Sequence, residues 1–308
     1  MNLEQAVSGR LKIFTKNNHT QRSDRFLFPT MNQIKLIQNH QFWLLGIAAG
    51  LMTLSIHLSM KSEMTDLGGT TLLFWVAVAS QLWKKRHNLN LYSGFFSTLL
   101  GVSIIIIVLF KSQFAYVDDS FLRISPILSL FSFALLASGI KGLRQYWQEF
   151  LLLGFITIPQ HWLSQLVNLP KLTAKFATFS LLYLGFPAQN KGYLVELKPN
   201  FVEVDSGCSG ISLIFQLLGI GLIFLILFSP KKSQVILIPS VAVILAFILN
   251  GVRVALMAYL NSYSQKSAFN YWHEGDGSLI FSLVGVIIFG YFCNFMLKNT
   301  DSKKGEIV

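Results

Sequence analysis

Long apolar runs separated by short basic blocks dominate the chain from residue 42 onward. Eight of them, 42–59, 68–83, 92–110, 121–140, 146–168, 210–228, 235–260 and 278–297, approach or reach the roughly 17–25 residues that carry a helix across a bilayer. The expected fold is therefore an all-α polytopic membrane protein of about eight transmembrane helices. Two stretches break the pattern. Residues 171–186 (KLTAKFATFSLLYLGF) are amphipathic and short, which predicts a helix lying on the outer leaflet. Residues 192–205 (GYLVELKPNFVEVD) are rich in Val, Leu, Tyr and Phe, with partial alternation about Pro199-Asn200, which predicts a small outer β-hairpin. The chain then divides into a basic tail over 1–41, a membrane domain over 42–297 with an outer loop at 169–207, and a tail over 298–308.

Composition narrows the class. Of 308 residues, 53% are hydrophobic and 13% charged, where a soluble domain has about 45–50% and roughly 25%. So little charge cannot clothe a soluble protein of this size, which excludes a cytosolic globular enzyme and a disordered chain. Two cysteines exclude a disulfide scaffold. The net charge of +11 does not point to nucleic acid, because the basic residues sit in short blocks between apolar runs. Threaded with the N-terminus inside, Lys84, Lys85, Arg86, Lys141, Arg144, Lys231, Lys232 and Lys298 all fall on the inner side, while most carboxylates fall outside. That bias predicts a multi-pass protein of the cytoplasmic membrane with both termini cytoplasmic. With no cleavable signal over 1–41, the first span is expected to act as a signal anchor.

Three polar positions carry candidate chemistry. Cys208, in Ser206-Gly207-Cys208-Ser209-Gly210, falls where the sixth span begins, at the outer end of a helix whose free N–H groups and positive dipole end favour a thiolate. Gly207 could place the first N–H groups as an oxyanion hole, and Gly207 and Gly210 allow another backbone to approach. The alternative is a small buried Cys that packs a helix end. Arg253, in Asn250-Gly251-Val252-Arg253, is an intramembrane cation, a functional position by default unless it snorkels to the interface. His273, in a predicted loop before the eighth span, stands beside Glu274 and Asp276, either of which could orient it; a loop His taken alone is more often a solvated side chain. Topology joins the three, because all fall at the outer ends of consecutive spans. A nucleophile, a proton acceptor and a fixed cation are the parts of thiol acyl transfer.

Cys208-Ser209-Gly210-Ile211, then Asn250-x-x-Arg253, then His273-x-x-x-Gly277, with spans between, resembles the exosortase/archaeosortase family over about residues 145–297. The short chain is similar to the cyanobacterial branch. The resemblance implies a membrane cysteine transpeptidase with Cys208 as nucleophile, Arg253 as charged stabiliser and His273 as acid/base. Gly207, Ser209, Gly210, Asn250 and Gly277 would support the site or bind substrate. The implied partners are membrane lipid and exported proteins bearing a C-terminal sorting tail (a Pro-Glu-Pro-like motif, one helix, a basic cluster), cut on the outer face and passed to an acceptor. No nucleic-acid partner, metal or organic cofactor is implied. The hairpin could offer a strand edge to the extended motif.

Other residues are weighed and set aside. The six His are scattered without HExxH, which argues against a zinc hydrolase. His161 reads as a bundle His or an alternative base. Glu149 reads as the partner of the basic 141–145 turn, and Cys293 as core packing, too deep to form a disulfide with Cys208. A small-solute transporter and a non-catalytic tail-recognition scaffold are the rival classes.

Overall fold

The computed structural model describes residues 40–60, 65–114, 119–160, 167–228, 231–273 and 276–305. The tail to residue 39, His161 and Glu274, with the side chain of Asp276, lie outside that description. The chain divides into two units, Met1–Ala49 and Gly50–Val308. In the first, the described residues are helical and belong to α1 (His40–Met60), with Phe42 and Trp43 edge to face.

The second unit holds the remaining elements. Helices α2 (Thr65–Lys85), α3 (Phe95–Ser112) and α4 (Asp119–Gly142) are followed by a 3-10 turn at Leu143–Tyr146 and by α5 (Trp147–Thr157). After α6 (Leu169–Tyr183) come strands β1 (Gln189–Lys191), β2 (Leu194–Leu197) and β3 (Asn200–Glu203). Helices α7 (Ile211–Phe228), α8 (Lys232–Ser262), α9 (Lys266–His273) and α10 (Asp276–Gly305) complete it. Six helical stretches among the described residues are long and apolar enough to cross a bilayer: His40–Met60, Phe95–Ser112, Ser120–Thr157, Ile211–Phe228, Lys232–Ser262 and Gly277–Lys298. This is a mostly helical, polytopic membrane protein.

The differences from the eight expected spans have local causes. The second span forms as α2, but Asp66, Gln81, Lys84 and Lys85 keep it below the apolarity of the others. The fourth and fifth fuse into Ser120–Thr157 and bend at Gly139, whose φ of +66° cannot continue a right-handed helix. Side chains satisfy the backbone around this break: Ile140 N–H donates to Ser97 Oγ at 3.2 Å, and Ser93 Oγ donates to Leu135 O at 2.7 Å. The fifth span does not run to 168, because Pro159 pushes Ile158 into extended conformation (ψ 118°) and α5 stops at Thr157. Glu149 on α5 pairs with Lys85 of α2 at 2.8 Å, not with the 141–145 turn.

Helix α7 is the axis of packing. A Cβ at Gly219 would stand 3.0 Å from the Phe74 ring of α2, and one at Gly221 would stand 3.2 Å from Ile238 of α8. These two glycines let α7 touch both halves of the unit at once. Phe74 stacks on Phe155, which in turn packs against Phe215. Polar tethers align the helix ends. Gln81 Nε2 donates to Ile226 O at 3.4 Å, and Gln234 Nε2 donates to Met296 O at 3.2 Å. The basic residues Lys84, Lys85, Lys232 and Lys298 therefore share one end of the bundle, and Cys208, before α7, lies at the other.

At that other end α8 supports a small sheet. Its 31 residues make a helix about 46 Å long, more than the roughly 30 Å apolar layer, and its last turns carry the sheet. The sheet is antiparallel in the order β1-β2-β3, with Leu194 opposite Glu203 and Leu197 opposite Asn200. Three strands stand where a two-stranded hairpin is expected, because Gln189–Lys191 doubles back through Gly192 (φ +75°) to pair with β2. Val195, Leu197, Val202 and Val204 bury one face against Ala174, Ala177 and Leu181 of α6 and Val254 and Ala258 of α8. Asn200 Nδ2 donates to Asn261 O at 2.7 Å and Asn261 Nδ2 to Phe201 O at 2.8 Å, fastening β3 to α8. Across the sheet, the hydrogen bond from Lys191 holds the Glu196 carboxyl below its ordinary range. The 15 residues of α6 give about 22 Å of helix, too short to span.

Candidate active site

The thiol is carried by a turn with both sides of its backbone tied. Asp205 Oδ1 accepts the Cys208 N–H at 2.8 Å, and Asn250 Nδ2 of α8 donates to Cys208 O at 2.8 Å. Next to it, Ser209 Oγ donates to Ser206 O at 2.6 Å, and Thr173 Oγ1 of α6 donates to Ser209 O at 2.9 Å. Gly210 adopts φ +90° directly against Asn250, where a Cβ would lie 2.7 Å from the amide carbon. Only glycine meets both demands. Helix α7 begins at Ile211, so Cys208 stands in the turn before the helix and not on its first residue. Its N–H is also not free for an oxyanion, since Asp205 holds it.

The imidazole comes from a short helix where a loop was expected. His273 is the last residue of α9. The final carbonyls of a helix have no partners within it, and here Arg253 of α8 supplies them. Its Nε donates to Trp272 O at 3.2 Å and its Nη2 to His273 O at 2.7 Å. A cation also suits the negative end of a helix dipole. Arg253 is half-buried and held by protein carbonyls, so it does not snorkel to the interface. One turn earlier on α9, the Phe269 ring stacks on that of His273, with centroids 5.3 Å apart and planes 18° apart. Gly277 lets α10 begin close to α9; a Cβ there would lie 2.8 Å from the rings of Tyr271 and Trp272.

These constraints place Cys208 Sγ 3.3 Å from His273 Nε2, within hydrogen-bonding reach. Cys208 is 4% exposed, in an apolar cluster that includes Val254, Ala255 and Ala258 and against which Phe269 and Trp272 pack. Beside it lies a cavity of about 180 Å³, lined among others by Gly207, Gly210, Ser212, Asn250, Arg253 and Ser282. Cys208, Arg253 and His273 meet here with Gly207, Ser209, Gly210 and Asn250, and Gly277 stands where α9 passes into α10; Glu274, the Asp276 side chain and His161 lie outside the described residues. Asp205, Thr173 and Phe269 were not expected. The Asp205-x-x-Cys208 spacing, the reach by which a helix cap accepts an N–H three residues on, could have revealed the first. Among the described residues no three His, Cys, Asp or Glu side chains converge as metal ligands. Neither cysteine forms a disulfide and both are buried, Cys293 in the core around Phe289.

This arrangement can be set beside known proteins. A family model described as transmembrane exosortase matches residues 63–290. The chain belongs to the transmembrane exosortase family. It is also 33% identical over 97 residues to the probable archaeosortase E of Methanocaldococcus jannaschii, a match covering 32% of this chain and 50% of that protein. The chain thus spans about half the length of the curated relative it matches. No solved structure matches it. For an exosortase-family chain, the matched region contains every residue of the cluster described above.

Proposed function

We propose that the protein cuts the C-terminal sorting tail from exported proteins at the outer face of the cytoplasmic membrane and passes them to an acceptor through a thioester on Cys208. The observation that carries this reading is the 3.3 Å separation of Cys208 Sγ and His273 Nε2, with the backbone of both residues tied down. A thiol and a base in mutual reach, with the base itself held, is the arrangement that activates a nucleophile.

In the proposed reaction His273 takes the thiol proton as Cys208 Sγ attacks the scissile carbonyl. The S–C bond forms, the C–N bond breaks, and His273 returns the proton to the leaving amine of the tail. An acceptor nucleophile then attacks the thioester, loses its proton to His273 and restores the thiol. Arg253 lines the cavity beside the thiol and caps the end of α9, which carries His273. In this reading it holds the base and faces charge that develops on the carbonyl oxygen.

The orientation follows from charge. The end with Lys84, Lys85, Lys232 and Lys298 faces the cytoplasm by the positive-inside bias, so the Cys208 end faces outward. The expected eight crossings are compatible with the six apolar stretches if α2 crosses, Ser120–Thr157 bends back at Gly139, and the fifth crossing is completed past the end of α5, where Gln160 Oε1 accepts from Ser212 Oγ near the start of α7 at 3.1 Å. The outer edge of β3 is already engaged by Asn261 at Phe201, so strand addition by the tail would use β1.

The test is cleavage of a co-expressed protein with a sorting tail, followed by gel shift and by trapping of the thioester with hydroxylamine. Cys208→Ala is expected to lower transfer by about 10⁴-fold or more and to abolish the adduct. Cleavage that continues in Cys208→Ala would refute the thioester and favour a tail-recognition scaffold acting with another enzyme.

A further inference from the structure

The opposite end of the bundle carries a second polar site, unconnected with the thiol. The bend at Gly139 turns the chain away from the α4 axis and sets Lys141 and Arg144 on a corner next to the segment between α2 and α3. Between them opens a pocket of about 470 Å³ lined by Asn90, Tyr92, Ser138, Lys141, Arg144 and Gln145, together with Gly142. No carboxylate lines it. Lys141 and Arg144 are exposed, and neither makes an ion pair among the described residues.

The walls are fixed by bonds other than those of the two cations. Gln145 Oε1 accepts the Asn90 N–H at 3.1 Å, and Gln145 Nε2 donates to Asn90 O at 3.2 Å, as one strand would pair with another. Lys85 Nζ donates to Gln145 O at 3.0 Å while it pairs with Glu149 at 2.8 Å, which removes the nearby acid from the pocket. Ser138 Oγ and Tyr146 Oη lie 2.8 Å apart, which secures the far wall. The fold thus spends its hydrogen bonds on the frame and leaves the Lys ammonium and Arg guanidinium facing outward. A guanidinium grips a phosphate through two parallel N–H donors, and an ammonium adds a point charge.

Position selects the source of the phosphate. The corner joins two membrane helices on the basic end of the bundle, and Ile140, Trp147, Phe95 and Phe96, its neighbours along the chain, are all strongly exposed. Exposed apolar side chains that flank a cationic pocket along the chain suit a molecule with an anionic head and apolar tails. We propose that this corner binds the phosphate headgroup of an anionic phospholipid in the leaflet on the basic side.

The experiment is native mass spectrometry of the full-length protein released from detergent, titrated with phosphatidylglycerol, phosphatidylcholine or inorganic phosphate. Wild type is expected to retain one phosphatidylglycerol in preference to phosphatidylcholine. Lys141→Gln/Arg144→Gln is expected to weaken that retention by roughly tenfold or more, since each basic residue near a lipid surface contributes on the order of 1 kcal/mol. The control pair Lys231→Gln/Lys232→Gln, on the same end but outside the pocket, should change it less than about twofold. Gln145→Ala, which keeps both cations and unties Asn90, should also weaken it. Equal losses in the control pair, or full retention in Gln145→Ala, would reduce the effect to diffuse surface charge and overturn the site. Displacement of the lipid by millimolar inorganic phosphate would assign the pocket to a soluble anion and overturn the lipid assignment.

Discussion

The two ends of the bundle both bury a cation among helices, and they satisfy it differently. At the basic end, charge meets charge: Lys85 Nζ of α2 sits 2.8 Å from Glu149 Oε2 of α5, and the carboxylate is fully buried. At the thiol end, charge meets backbone: Arg253 of α8 donates to the carbonyls of Trp272 and His273. The first bond ties side chains of two helices and ends there. The second fixes a stretch of main chain, and through it the place of the next side chain, the His273 imidazole beside Cys208. One is a staple, the other a mount. Disturbing the mount should therefore change rate with little loss of stability, and disturbing the staple should do the reverse.

The largest effect on that contrast is expected from His273→Ala. Removing a positioned acid/base costs typically 10²–10⁴-fold, so tail transfer should fall by about 10³-fold. The imidazole is only half-buried, so the thermal midpoint should move little. Alkylation of Cys208 by a small thiol reagent should slow in parallel. An unchanged alkylation rate would show that the imidazole does not act on the thiol, whatever happens to turnover.

Arg253→Lys comes next. The two carbonyls lie within reach of two different guanidinium nitrogens, and a single ammonium does not reproduce that fork. The end of α9 would then shift, and a displacement near 1 Å at a reacting group can cost about 10²-fold. Transfer should drop by about that factor in the Lys form and nearly as far in Arg253→Ala, in kcat more than in KM. A Lys form with near-normal turnover would mean that charge alone matters and the mount does not.

Particular residues show how far the sequence could be read. The spans were legible because lipid imposes length and apolarity; the ends of α7 and α8 and the start of α10 fall close to those expected, while α10 runs on to Gly305. The meeting of Cys208, Arg253 and His273 was legible because successive helices return to the same face. Short-range backbone chemistry was hidden. Nothing in Lys266–His273 looks helical at the level of composition, so Phe269, one turn before His273, could not be placed on its ring. The end of α5 turns on one dipeptide, Ile158-Pro159, inside an otherwise apolar run. The strand at Gln189–Lys191 is polar and three residues long, and only its register with Leu194–Glu196 identifies it.

The smallest effect on rate, and the complement of the others, is expected at the staple. Glu149 Oε1 has no hydrogen-bond partner among the described residues, so the carboxylate depends on Lys85. Lys85→Met leaves that acid buried without its cation, a change of the kind that costs about 3 kcal/mol or more when both partners are buried. Lys85 is 23% exposed at its side chain, so water relieves part of the loss, and roughly 2 kcal/mol is the better expectation. Glu149→Gln keeps the shape and an acceptor for the ammonium and should cost about 1 kcal/mol. The double change Lys85→Met/Glu149→Leu removes both charges together and should recover most of what the first single change loses, since a buried pair is often replaceable by apolar groups. In all three, tail transfer at permissive temperature should stay within about twofold of wild type. Unfolding midpoints in detergent, measured beside transfer rates, check both halves. A large loss of transfer in Glu149→Gln at unchanged stability would mean that the two ends of the bundle communicate, and the division between staple and mount would fail.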